Sequence, residues 1–173
     1  LGAGAGAGGT PAGTGVLTIN ADTLTALNAV TITGTSAATP LDVKTGAASD
    51  IVTLGTKNDT LTSGAGNDII DANAGVNTID SGAGNDTITL GTGADNITAE
   101  SSLANTDIID GGAGTDTLTT TAGISNSSVM GGVSNIEIIN PIGAINITAD
   151  GGMGGATTFK IDSASAQILT LGG

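Results

Sequence analysis

Through the middle of the chain a single aliphatic residue returns at every ninth position, set between polar neighbours. The series is Val52, Leu61, Ile70, Ile79, Ile88, Ile97, Ile109 and Leu118, with one step of twelve across Ala99 to Ser101. Each aliphatic sits at the centre of a triplet whose outer positions are mostly Thr, Asp or Ile. Successive side chains on a strand point to opposite faces, so the triplet predicts a short strand with its centre buried. The rest of each unit is rich in Gly, Asn, Ala and Asp, the residues of tight turns. One aliphatic cannot make a core alone. Units of this kind must stack, and two of them complete one coil of a solenoid.

On both sides of the repeats the alternation continues without the fixed period. VLTIN, AVTIT and PLDVK lie within Val16 to Lys44, and Leu24, Leu27, Val30 and Ile32 resemble one rung of a wider coil. After the repeats come GGVSNIEIIN, with Val133, Ile136 and Ile138, and then AINIT, TTFKI and QILTL. No long apolar stripe of helical period occurs, and Ala99 to Asn105 has room for at most one helical turn. Leu1 to Gly15 is rich in Gly and Ala and has little to bury. The expected fold is all-β: a right-handed parallel β-solenoid with a central β-roll. Residues 1–15 form an arm, 16–44 Thr-rich rungs, 45–119 the roll and 120–173 further rungs.

The clearest units are SGAGNDIID (Ser63 to Asp71), SGAGNDTIT (Ser81 to Thr89), LGTGADNIT (Leu90 to Thr98) and GGAGTDTLT (Gly111 to Thr119). They share the pattern x-G-x-G-x-D-x-U-x. Thr45 to Thr53, Ala72 to Asp80 and Ser102 to Asp110 keep the register but depart at the glycines, and Leu54 to Thr62 carries Lys57 in place of the second glycine. If alternate units stack, position six falls into two columns. Asp50, Asp68, Asp86 and Asp107 form one, and Asp59, Asn77, Asp95 and Asp116 the other.

Charge gives these columns a meaning. The net charge is −13, with Lys44, Lys57 and Lys160 as the only cations. Eleven of the sixteen acids lie between Asp50 and Asp116. Aspartates stacked one coil apart repel one another unless cations stand between them. The glycine pairs Gly64 and Gly66, Gly82 and Gly84, Gly91 and Gly93, and Gly112 and Gly114 permit tight turns that aim carbonyl oxygens at one point. Hard oxygen donors in loose geometry suit calcium, which takes six to eight oxygens; zinc favours nitrogen and sulfur ligands, and the chain has neither His nor Cys. The central segment is thus expected to be a calcium-binding β-roll. The neighbours Asp68 and Asp86 make the best-formed pair. Asn77 lacks the charge, Lys57 disturbs its turn, and the insertion at Ala99 is expected to displace the turns of Asp107 and Asp116. Asp71, Asp80 and Asp110, at position nine, are expected to be solvated strand residues.

These residues resemble the RTX family, whose nonapeptide is G-G-x-G-x-D-x-U-x. The likeness covers Thr45 to Thr119, and the Thr-rich flanks with SNIEIIN are similar to RTX-type bacterial surface-layer proteins. The resemblance implies export by a type I system, folding on calcium outside the cell and a structural role at the cell surface.

Other classes fare less well. A nucleic-acid partner needs a basic surface, which this chain lacks. No apolar run approaches the length of a transmembrane helix. There is no initiator Met and no signal peptide, so the chain is expected to be processed or part of something longer. An enzyme is not expected, since His, Cys, Tyr and Arg are all absent. The alternatives are an adhesin, an ice-binding module using triplets such as Thr60 to Thr62 and Thr87 to Thr89, or a carrier segment of a larger exported protein. Positions seven and nine should face outward. One sheet then shows Ile51, Ile69 and Ile108 while the other is polar, and this stripe or the solenoid ends would carry self-association. A cell-surface polysaccharide is a further candidate partner.

Overall fold

Parallel pairing governs the fold, because each strand meets its neighbour one coil later in the chain. The computed structural model describes residues 15–99, 106–120, 132–141, 146–149, 158–159 and 168–171. Among these the strands are β1 (Leu17–Asn20), β2 (Thr31–Thr33), β3 (Leu41–Lys44), β4 (Ile51–Thr53), β5 (Thr60–Thr62), β6 (Ile69–Asp71), β7 (Thr78–Gly82), β8 (Thr87–Thr89) and β9 (Thr92–Gly93). They continue with β10 (Asn96–Ala99), β11 (Ile108–Asp110), β12 (Ala113–Gly114), β13 (Thr117–Thr120), β14 (Val133–Ser134), β15 (Ile138–Pro141), β16 (Asn146–Ala149), β17 (Thr158–Phe159) and β18 (Ile168–Leu171). No α-helix occurs among the described residues.

Two sheets form the walls. One runs β1-β3-β5-β7-β10-β13-β15-β17 and the other β14-β11-β8-β6-β4-β2. The chain crosses from wall to wall at each turn, which makes a parallel β-solenoid. The coil is eighteen residues in the roll, where Thr60 pairs with Thr78 and Ile69 with Thr87. It is wider at the start, where Leu17 pairs with Leu41, twenty-four residues on. The register expected from the nine-residue period is the observed one: Val52, Ile70, Ile88 and Ile109 align across one sheet and Leu61, Ile79, Ile97 and Leu118 across the other.

These eight aliphatics are buried and form one cluster with Val43, Leu54, Leu90, Ile136 and Ile139. Full burial of an Ile or Leu is worth about 1.5–3 kcal/mol, so the stack drives folding without aromatic residues. Position one, which the repeat pattern left undefined, divides the interior. Below one column it holds the buried hydroxyls Thr45, Ser63 and Ser81; below the other it holds Leu54, Ala72 and Leu90. The hydroxyls bond upward, Thr45 Oγ1 to the Ser63 carbonyl at 2.6 Å and Ser63 Oγ to the Ser81 carbonyl at 2.5 Å.

Two expectations need correction. Leu27 is not a core residue of the first coil: it is 94% exposed, while Ile32 is buried and Val30 packs against the core. The insertion at Ala99 does not displace the later units, since Asn96 pairs with Thr117 and Thr87 with Ile108 in unbroken register. The arm of residues 1–14, residues 100–105 with the helical turn they have room for, and much of 120–173 lie outside the described residues.

Candidate metal-binding turns

Position six builds two ladders, with the predicted parity. In the first, the Asp50 N–H donates to Asp68 Oδ1 at 2.8 Å, Asp68 N–H to Asp86 Oδ1 at 3.0 Å and Asp86 N–H to Asp107 Oδ1 at 3.0 Å. In the second, Asp59 N–H donates to Asn77 Oδ1 at 2.9 Å, Asn77 N–H to Asp95 Oδ1 at 2.6 Å and Asp95 N–H to Asp116 Oδ1 at 2.8 Å. All eight residues are buried. One oxygen of each carboxylate is therefore spent on the coil beneath. An amide oxygen serves equally well there, which is why Asn77 keeps the ladder intact.

The second oxygen separates the units into two kinds. Asp68 Oδ2, Asp95 Oδ2 and Asp116 Oδ2 are buried and have no hydrogen-bond partner. Asp50 Oδ2 instead accepts the Gly46 N–H at 3.3 Å, and Asp59 Oδ2 accepts the Gly55 N–H at 2.9 Å. The cause lies in the turns. In the units from Ser63 to Thr98 and from Gly111 to Thr119, positions two and four have positive φ, as at Gly64 (97°) and Gly66 (134°). Ala48 and Lys57 occupy position four in the first two units and have no such φ, nor do Gly46 and Gly55. A side chain resists the left-handed conformation, so those two turns fold back and satisfy their own aspartates.

The turns themselves are stacked. Ala65 bridges to Ala83 and Ala74 to Thr92, and β9 pairs with β12. The packing leaves no room for a Cβ on the glycines: one on Gly84 would collide with the Gly66 carbonyl, and one on Gly93 with the Gly75 carbonyl. Asn73 stands in a glycine place with φ 59°, its amide donating to the Leu54 carbonyl at 2.8 Å. Asp71, Asp80 and Asp110 are not idle strand residues. They accept the N–H of Asn73, Gly82 and Gly112 at 3.1, 3.2 and 3.0 Å and so hold the entry to the next turn. An acid two residues before the left-handed position was the sequence signal for this role.

Burial lifts the carboxyls of Asp68, Asp86, Asp95 and Asp116 above the usual range. Asp86 is pushed up to about 6, by desolvation first and by the charges of Asp68 and Asp107 besides. Hydrogen bonds to the carboxylates and the nearby Ser63 and Ser81 hydroxyls offset part of the effect. A carboxyl with a raised native pKa holds its proton in the folded chain after the unfolded chain has lost it. Without metal, stability should therefore fall as the pH rises through the window from 3.8 to about 6. In chelator the chain should keep more β structure by circular dichroism at pH 5 than at pH 7.5; equal spectra would contradict it.

Among the described residues no three His, Cys, Asp or Glu side chains gather into a cage. Each orphaned oxygen is instead a single anionic donor beside stacked backbone turns. That donor set fits a hard cation bound chiefly by carbonyls and carboxylate oxygen, the preference of calcium.

The comparisons agree with this geometry. The RTX calcium-binding nonapeptide repeat matches residues 45–79, 71–101 and 104–124, in four copies. The roll of this chain is built of RTX calcium-binding repeats. No curated protein and no solved structure matches the chain.

Proposed function

We propose that this chain is a calcium-stapled structural segment of an exported protein, a subunit or part of a surface layer or extracellular filament. RTX repeats are typical of proteins secreted by type I systems, which supports a role outside the cell. The observation that carries the calcium part is the set of buried, unpartnered oxygens on Asp68, Asp95 and Asp116. Glycine carbonyls of the turns at Gly64 and Gly66, Gly82 and Gly84, Gly91 and Gly93, and Gly112 and Gly114 would complete the coordination, with Asp86 and Asp107 in the first column. Asp50 and Asp59 contribute to the ladders rather than to the metal, because their second oxygens are already bonded. The missing His, Cys, Tyr and Arg favour structure over catalysis.

Self-association is part of the proposal. Ile51, Ile69 and Ile108 are 46, 52 and 55% exposed and share one sheet face, with Thr87 between the last two. The facing wall carries Thr60, Thr78, Asn96 and Thr117 at the equivalent positions. The apolar stripe supplies the contact. In calcium the chain should form polymers by light scattering and sedimentation. Replacing all three isoleucines by Thr should leave the calcium-dependent circular dichroism intact and reduce polymer mass severalfold. Unchanged assembly would remove this face from the proposal.

A further inference from the structure

The second ladder does not stop at the last nonapeptide. Asp110 pairs with Ser134 and Thr117 pairs with Ile138, so residues 135–137 make in three residues the crossing that 111–116 make in six. The shortened turn buries Ile136 and brings Glu137 onto Asp116. Glu137 Oε2 accepts the Asp116 N–H at 2.8 Å. That is the bond Asp116 Oδ1 makes to the Asp95 N–H, and Asp95 Oδ1 to the Asn77 N–H, one and two coils earlier. A glutamate thus occupies the ladder position of an aspartate. The short turn is tied down from below: Asn135, at φ 52°, donates through Nδ2 to Asp110 Oδ1 at 2.7 Å.

A separate observation points to a ligand here. Asp116 is completely buried, and its Oδ2 has no partner. Two carboxylates held in successive coils, one of them fully buried, repel each other unless a cation lies between them. The first column has no equivalent, since no acid occurs between Asp116 and Glu137 to stand above Asp107.

We propose that Glu137 is a metal ligand: with Asp116 and carbonyl oxygens of the 111–116 turn it completes a calcium site that closes the roll beyond its last repeat. The proposal rests on the calcium reading of the roll. It makes the two columns unequal, with the second one site longer than its repeats alone would give. It also assigns a role to the SNIEIIN segment, which lies outside the matched repeats.

Ion counting tests it on the full chain. Wild type and Glu137→Gln would be titrated with calcium by calorimetry, and bound calcium would be counted by elemental analysis after desalting. The amide of Gln keeps an oxygen for the Asp116 N–H, as Asn77 does for Asp59, so the ladder should survive. The variant should bind one ion fewer, or bind its last ion at least tenfold more weakly. Asp42→Asn, which removes the same charge from β3, should not change the count. Identical titrations for wild type and Glu137→Gln overturn the proposal. No calcium uptake by wild type overturns the calcium reading itself. A measurement on the unaltered sequence guards against a variant that fails to fold. Glu100 and Glu137 are the only glutamates, so carboxyl-13C glutamate labelling gives two signals, assigned with Glu100→Gln. The Glu137 signal should move with the last equivalent of calcium; a signal that stays fixed through that equivalent refutes the assignment.

Discussion

Withdrawing calcium is expected to unfold the roll at neutral pH. Far-UV circular dichroism should pass from a β spectrum to a coil spectrum in chelator, and return on adding calcium with a midpoint of about 0.1–1 mM, the range of extracellular sites. The argument begins with charge. Seven aspartates at position six are buried, and the whole chain carries three lysines. Burying an ionised carboxylate without a partner costs several kcal/mol, and a domain of this size has a net stability of only about 5–15 kcal/mol. Three orphaned oxygens are therefore enough to overturn the fold once they ionise. Calcium reverses the balance: a site filled at a hundred times its Kd adds about 2.7 kcal/mol. Magnesium should not substitute, because it demands regular octahedral geometry. The effect should also be selective. Asp95→Asn removes a charge whose second oxygen has no other partner and should weaken calcium binding roughly tenfold or more. Asp59→Asn should change it little, since the Gly55 N–H already engages that residue. A β spectrum and urea midpoint unmoved by chelator would refute the calcium requirement.

The period of nine was enough to read the register, the aliphatic core and the parity of the two columns. Those features depend on which face a side chain takes, and a strict repeat declares that directly. What escaped depends on contacts between coils. Lys57 marks LGTKND as a disturbed turn, but the sequence does not show that Asp50 and Asp59 are satisfied by their own turns; that follows from Ala48 and Lys57 failing to adopt the left-handed conformation that Gly66 and Gly75 adopt. The same units satisfy the nonapeptide by spacing and differ in chemistry. Glu137 escaped for a related reason. It lies three residues after a strand end instead of six, and only the pairing of Ser134 with Asp110 and Ile138 with Thr117 reveals that it shares the ladder. Position one was overlooked because Thr, Ser, Leu and Ala look interchangeable beside a turn, although the coil separates them onto opposite sides of the interior.

Gly84→Ala is expected to abolish calcium-induced folding, and Gly55→Ala to be tolerated. Both lie in turns of the repeat, so composition alone does not distinguish them. Gly84 has φ 149° and lies directly over the Gly66 carbonyl, with which a Cβ would collide. Strained backbone costs about 1–3 kcal/mol and forced overpacking about as much again. The obstacle is backbone, so no side chain can swing aside. Relief requires separating the two turns, which would break the Gly66 N–H bond to the Ala83 carbonyl and move the carbonyls that calcium needs. Loss of metal affinity then compounds the loss of packing. Gly55 has an ordinary φ, and a Cβ there would meet nothing nearer than the Gly34 carbonyl at 3.2 Å. Its replacement also reduces the freedom of the unfolded chain, which offsets the mild crowding. In saturating calcium, Gly55→Ala should give a β spectrum that is lost cooperatively in urea, and Gly84→Ala a coil spectrum already without urea. Equal stability would mean that the close stacking of the turns does not hold the roll together, and that its calcium sites do not depend on glycine at the fourth position.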